Sequence, residues 1–436
     1  MQAEFEEHPQ RVALTNELHA RPFQQASAPG RFLHFAFKQP TNAAERDHAA
    51  DRAHLLQLLD HFGASHPPPD ARQHATDLGR FRLKWESHTE FVSYTLIEDG
   101  PTDTLFSGEL AKQVSSDWLN SAPGKTVAAV QCELIDDRAE GEAQRPLPEA
   151  VLRHFDQQAI AAALLLDGQA IALGDFRIHA QGYTRFAILQ RGRTGPRRLG
   201  RVTQRMLEIE TYRIMAMLAL PIARDVARRL NEVDRELSDL IASVIDENRP
   251  RSDADNLAQL MSLSAEIEAM AASSAFRFDA AEAYERIVDE RISTLREKPI
   301  HGRQQFAEFM ARRFDPAMRT VSAAKQRLSA LSIRAARTGE LLRTRVNVTL
   351  EEQNKSLLES MDRRAGFQLR LQETVEGLSA VAISYYAIGL FGYLLDPVAA
   401  LVGIGKPMLL AAVTLPVVAL VWWFTRQIRK RAAALS

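Results

Sequence analysis

The chain has 436 residues, 46% of them hydrophobic, which excludes a disordered polymer and supplies core for two or three structural units. With 54 Lys and Arg against 55 Asp and Glu, the net charge of −1 gives no long-range pull toward nucleic acid, and no nucleic-acid partner is expected. A single cysteine, Cys132, excludes a disulfide framework and a cysteine zinc site.

The N-terminal stretch MQAEFEEHPQR is acidic and has no apolar run, so no signal peptide is read and the large N-terminal region is expected in the cytoplasm. In TNELHARP, Glu17, His19 and Arg21 read as an acid/base or metal cluster, or as a helix end. Positions two apart do not share a helix face, and Pro22 stops the helix, which favours His19 as a C-terminal cap.

Residues 1–190 read as an α/β domain with a mixed sheet. Period-two alternation rich in aromatic and β-branched residues predicts strands at Arg31–Gln39, Phe81–Ser87, Glu90–Asp99, Lys125–Asp136, Gly174–Gln181 and Tyr183–Gln190. Helices are predicted in AAERDHAADRAHLLQLLDHF, GELAKQVSSDWLN and EAVLRHFDQQAIAAALLL. The first brings Asp47, Asp51, His54 and His61 to helical spacing. Without a His-Glu-x-x-His pattern these read as an exposed amphipathic helix ahead of a zinc site. In KWESHTEF, Lys84, Glu86, His88 and Glu90 alternate, giving the polar outer face of a strand unless a turn at Ser87 to Thr89 breaks it. Cys132 shares a strand face with Val130 and Leu134 and reads as a buried small apolar group.

Residues 191–202 read as an Arg/Gly-rich linker. RGRTGPRRLGRVTQR carries Arg191, Arg193, Arg197, Arg198, Arg201 and Arg205, with no acid between Asp175 and Glu208. Two readings stay open: a grip on phosphate, in a nucleotide, an RNA or a lipid headgroup, or a solvated connection. It is not a P-loop, because no Gly-Lys-Ser/Thr follows the glycines.

Residues 203–376 read as a long helical stalk of coiled-coil character. Val226, Leu230, Val233, Leu237, Leu240 and Val244 alternate by four and three. A second helix carries Leu260, Leu263, Ile267 and Met270, with interruptions toward REKPIHGR. A third opens at Asp315 and Pro316, an N-cap and first-turn proline, and has an apolar edge of Phe314, Met318, Val321, Leu328 and Leu331. Helices this long need packing partners, which the three helices of one chain can supply in part and copies of the chain for the rest.

The chain ends in two uncharged runs, GLSAVAISYYAIGLFGYLL and PMLLAAVTLPVVALVWWFT, read as a transmembrane hairpin over 377–395 and 407–425. Arg363, Arg364 and Arg370 precede the first run, and Arg426, Arg429, Lys430 and Arg431 follow the second in a basic tail, 426–436. The positive-inside rule puts both flanks, and so both termini, in the cytoplasm. Trp422 and Trp423 suit the interface. Ser384, Tyr385 and Tyr386 fall near mid-membrane, with Gly389 and Gly392 allowing close approach; helix packing and a pore wall are the two readings. Neither run holds an ionisable residue at mid-depth. Arginine far outnumbers lysine, which with the alanine richness suggests a GC-rich bacterial genome.

HPQRVALTNELHARPF, LKWESHTEFVSYTL, GRVTQRMLEIETYRIMAMLALPIA and TVEGLSAVAISYYAIGL together resemble the bacterial membrane-anchored proteins known as domain of unknown function 3422. The resemblance spans essentially the whole chain and implies membrane anchorage and bacterial origin, but no activity. The architecture is also similar to that of CorA-type magnesium channels, which implies a homopentamer. Their Gly-Met-Asn motif is absent, the corresponding place reading GLFGYLLDP.

The expected fold is therefore α+β: an α/β domain, a long helical stalk and a two-helix membrane hairpin in the bacterial inner membrane. No nucleophile elbow, Rossmann fingerprint or kinase signature is present, so no catalytic residue, cofactor or metal is assigned. A homo-oligomeric membrane-tethered scaffold or regulatory module is read ahead of an enzyme, with a CorA-like channel as the alternative.

Overall fold

The computed structural model describes residues 8–12, 14–15, 23–40, 45–138, 145–245, 252–394 and 405–432. They fall into two compact units that divide between Thr338 and Gly339.

The first unit is built on one nine-stranded mixed sheet: β1 (Gly30–Lys38), β2 (Gln73–Asp77), β3 (Arg82–Ser87), β4 (Phe91–Asp99), β5 (Lys125–Asp136), β6 (Ala161–Leu165), β7 (Ala170–Ile178), β8 (Thr184–Gln190) and β9 (Lys298–Pro299). The order is β2-β3-β4-β1-β5-β8-β7-β6-β9. Every neighbouring pair is antiparallel except β5 with β8. The six predicted strands are all present. The sheet has two edges, the polar five-residue β2 and the two-residue β9.

Alternation along β1 explains the layering. Leu33, Phe35 and Phe37 point to one face, where Leu55, Leu58 and Leu59 of helix α1 (His48–His61) and Trp118 of α2 (Ser116–Asn120) close over them. His34 and Ala36 point to the other face, toward α4 (Pro196–Met217). A second cluster around Phe106, Phe155, Ile171, Leu173 and Leu189 fills the β6–β8 half beside the short α3 (Glu149–Leu152).

Two readings of the sequence are corrected here. EAVLRHFDQQAIAAALLL is not one helix: only Glu149–Leu152 is helical, and Ala161–Leu165 is strand β6. Alanine and leucine favour helix intrinsically, but this run is buried between β7 and β9. A fully buried strand shows no alternation. The helix expected to be interrupted before REKPIHGR is instead continuous, α6 (Asp253–Leu295).

Helices α4, α5 (Ala219–Ile245), α6, α7 (Phe306–Arg313) and the first turns of α8 (Asp315–Leu394) complete this unit. Val226, Leu230, Val233, Leu237 and Leu240 of α5 are buried, as are Leu260, Leu263 and Ile267 of α6 and Met318, Val321, Leu328 and Leu331 of α8. The four-and-three spacing thus marks a packed seam within one chain. Arg229 to Glu266 and Lys325 to Asp279, at 2.7 Å, add ion pairs between helices.

His34 is buried, with Nδ1 2.8 Å from the Thr95 hydroxyl and Nε2 3.0 Å from that of Thr211 on α4. Burial, helped by the His88 and Lys84 charges, drops its pKa from 6.5 to about 3. Unfolded chain therefore takes up a proton below pH 6.5 that the folded chain refuses, so the contribution of His34 is complete above that pH and shrinks as pH falls toward 3. At pH 5 the loss amounts to about 2 kcal/mol. Denaturation midpoints at pH 7 and pH 5 should differ by correspondingly less in His34→Gln than in the unaltered protein.

The second unit holds the rest of α8 and α9 (Lys406–Ala432). Both helices are long and apolar enough to cross a membrane, and only 6% of each apolar window is buried, unlike core helices. Along α8, Ser384 and Gly392 are buried, and a Cβ on Gly392 would lie 3.3 Å from Leu410 of α9. Ser384, eight residues earlier on the same stripe, is where close helix approach tolerates a small polar residue. Tyr385 and Tyr386 are 75% exposed, and Gly389 faces open space.

Candidate functional site

Helix α4 begins at Pro196, a residue pre-set for the first turn, after Gly195. Leu199, Val202, Met206 and Leu207 bury its apolar face. Arg198, Arg201 and Arg205, spaced by three and four, are thereby left together along the flank of that face. The C-terminal end of α6 brings Arg296 to the same place, and the β6–β7 turn contributes Leu166 and Asp167. Together they line a cavity of about 270 Å³.

The cavity is strongly cationic. Arg205 donates from Nη1 to the Thr294 carbonyl oxygen at 3.1 Å. Burial, and then repulsion from Arg201 and Arg291, lower its pKa. Among the described residues the one lining carboxylate, Asp167, lies 3.7 Å from Arg198 with its side chain 80% exposed, a weak screened pair. Among the described residues, no carboxylate lies within salt-bridge distance of Arg201 or Arg296. Planar guanidinium groups with free donors match the oxygens of phosphate, and they stay charged at any physiological pH.

Backbone conformation at the rim is unusual as well. Leu166, Asp167 and Arg296 all hold positive φ, at 54°, 59° and 51°. Each costs about 1–2 kcal/mol in a non-glycine residue, and such costs gather where a site fixes the chain. The only other polar lining group, Thr294, donates its hydroxyl to the Arg291 carbonyl oxygen at 2.9 Å. Among the described residues the lining has no histidine, cysteine or lysine, and its arginines suit holding an anion.

The six arginines read in the sequence are divided by the fold. Arg198, Arg201 and Arg205 converge; Arg193 and Arg197 are exposed and do not line the cavity. Arg191 is 3.0 Å from Asp137 and donates to the carbonyl oxygens of Arg145 and Pro146. Arg296 was missed because it is 91 residues downstream of Arg205 and reaches the cavity only through the fold. The spacing of 198, 201 and 205 was a helix-face signal open to sequence reading.

Other candidates resolve differently. A turn separates β3 from β4, so Lys84 and Glu86 share a strand while His88 and Glu90 lie beyond its end. Nor is this a polar outer face. Lys84 and Glu90 are buried, Lys84 2.9 Å from Glu86 and Glu90 bonded by Arg277 and, at 3.0 Å, by the Tyr284 hydroxyl of α6. Asp47 caps α1, accepting from the Ala50 amide at 2.9 Å. Asp51 and His54, expected on an exposed face, are buried. Asp51 pairs with Arg46, while His54 sits 2.8 Å from the Tyr94 hydroxyl and 2.9 Å from the Trp118 carbonyl oxygen. His61 is exposed at the helix end. Among the described residues no three potential metal ligands cluster. Cys132 is buried, which pushes its thiol pKa up. Glu17, His19 and Arg21 lie outside the described residues.

A family model described as a protein of unknown function, DUF3422, matches residues 6–432. No curated protein and no solved structure matches the chain.

Proposed function

We propose, for a chain that belongs to the DUF3422 family of proteins of unknown function, that it is a membrane-tethered regulatory module whose sheet-bearing unit binds a phosphate-bearing anion. The observation that carries this reading is the convergence of Arg198, Arg201, Arg205 and Arg296 on one cavity, whose single carboxylate among the described residues is largely solvated. Tethering is supported by the two exposed apolar helices, and the arginines flanking them argue for a bacterial inner membrane with both termini in the cytoplasm. Leu357, Leu358, Met361 and Phe367, exposed on α8 ahead of the apolar run, favour association with further copies. The channel alternative would have to line its pore with Tyr385 and Tyr386, because Ser384 is buried.

Titrating detergent-solubilised full-length protein with inorganic pyrophosphate at fixed ionic strength tests the cavity. Charged hydrogen bonds contribute about 1.5–3 kcal/mol each, so Arg198→Ala with Arg201→Ala should weaken binding by about 100-fold or more. The exposed pair Arg193→Ala with Arg197→Ala should leave it within about 3-fold, as screened surface charges do. Equal losses in both pairs, or no pyrophosphate binding by the unaltered protein, would overturn the proposal.

A further inference from the structure

On the β6–β7 side of the sheet a second, larger cavity of about 600 Å³ opens beside β9. Its floor is apolar. Leu147, Leu152, Leu164 and Ile300 are the partly buried margin of the Phe106–Phe155–Leu189 core, and they converge on this cavity. Its rim is cationic, formed by Arg145, Arg191 and Arg303, with His301 beside them, and among the described residues the lining contains no acid.

Asp137 sets the geometry of that rim. Its carboxylate lies 3.1 Å from Arg145 and 3.0 Å from Arg191, so one negative charge serves two guanidinium groups. The Arg191 side chain is almost fully buried, with all of its nitrogens bonded: Nε to Asp137, Nη1 to the Arg145 carbonyl oxygen at 2.6 Å and Nη2 to that of Pro146 at 3.0 Å. It is a fixed strut. Among the described residues the Arg303 side chain is held only by a 3.4 Å contact from Nη2 to the Gln157 side-chain oxygen, which leaves its other donors for a ligand. With Asp137 counted, the described residues of the site still carry an excess of positive charge above an oily floor.

Small-molecule sites of about 300–1,000 Å³, mainly apolar with a few placed polar groups, are built for ligands of matching amphipathic character. We infer that this cavity binds an anionic amphiphile, a molecule with an aliphatic body on the leucine and isoleucine floor and a carboxylate or phosphate head against Arg303 and Arg145. Neither end suffices alone: a bare anion leaves the floor wet, and a neutral alcohol leaves the arginine charge unanswered. This site is separate from the α4 arginine cavity and shares no lining residue with it.

The probe is decanoate, titrated by calorimetry into full-length protein in nanodiscs, with empty nanodiscs subtracted. Saturable binding is expected, at least 10-fold tighter than that of decanol or of acetate. Arg303→Glu and, separately, Ile300→Asp should each weaken it at least 10-fold, one by reversing the head contact and the other by placing a carboxylate in the floor. Decyl phosphate in place of decanoate distinguishes the two head groups. Arg198→Ala with Arg201→Ala should leave decanoate binding unchanged, so failure of the pyrophosphate proposal and failure of this one are distinguishable. Decanol and decanoate binding equally, or both lining variants binding decanoate as the unaltered protein does with their folding intact by circular dichroism, would overturn the inference.

Discussion

Replacing Glu90 by alanine is expected to destabilise the sheet-bearing unit by about 3–5 kcal/mol, the cost of stranding a buried charge when its partner is removed. Glu90 sits in the turn between β3 and β4 and is the shared acceptor for Arg277 and Tyr284 of α6. Arg277 is itself buried, so the alanine variant would leave a guanidinium facing a cavity where water cannot fully solvate it. Tyr284 stacks on Tyr212 of α4, with ring centroids 5.5 Å apart, and would lose its hydrogen bond in the same step. The effect should appear as a large drop in the denaturation midpoint of the full-length protein in detergent. The double variant Glu90→Ala with Arg277→Met, which removes both charges, should recover more than half of the loss. A double variant no more stable than Glu90→Ala would mean that shape, and not charge, makes the site sensitive.

The second large effect concerns Gly200. Glycine within an exposed helix normally gives way to alanine with a gain of about 1 kcal/mol. Here the sign reverses, because a Cβ on Gly200 would stand 1.8 Å from the Gln24 carbonyl oxygen and 3.0 Å from its carbon. The 24–26 segment crosses α4 at this point and is tied to it where the Ala26 amide donates to the Pro196 carbonyl oxygen at 3.1 Å. A backbone carbonyl cannot swing aside as a side-chain end can, so either the segment or the start of α4 must shift. Overpacking costs about 1–3 kcal/mol, and Gly200→Ala should reach the top of that range. Since Arg198 and Arg201 flank Gly200, pyrophosphate affinity should fall as well, by about 10-fold for 1.4 kcal/mol lost. Gly366→Ala, in a helical stretch with nothing within 4 Å of the new atom, should cost no stability. Gly200→Ala melting and binding like the unaltered protein would show that the 24–26 crossing is readily displaced.

How much of this was legible in the sequence depends on what each residue's signal reports. Strands β1, β4 and β5 declared themselves through aromatic and β-branched alternation, and the α5 seam through its four-and-three spacing. Strand β6 did not, because AAALL has no polar face to alternate with when both faces are buried. Strand β9 is two residues held by tertiary pairing alone, below any sequence window. At the arginine cavity the contiguous cluster drew notice as a linker over 191–202, whereas from Pro196 onward it is helix α4. Which of its members converge depends on where α4 begins, and Arg296 enters only through the packing of α6 on α4. Buried polar positions such as Glu90, Asp51 and His54 misled for a different reason. Their side chains are solvable inside the protein only because Arg277, Arg46 and Tyr94 meet them there, and those pairings are non-local or unsignalled.

The two margins of the nine-stranded sheet also limit how copies of this chain can meet. An open strand edge offers a row of unused amides and carbonyls on which another chain can zip itself, the usual route to fibrous aggregates. One margin here is QHATD, short and polar, and the other is a lysine and a proline, whose ring nitrogen has no hydrogen to give. Sheet-to-sheet polymerisation is thereby discouraged at both ends. Any self-association is left to the helical surfaces, whose contacts are side chain to side chain and can be tuned one residue at a time.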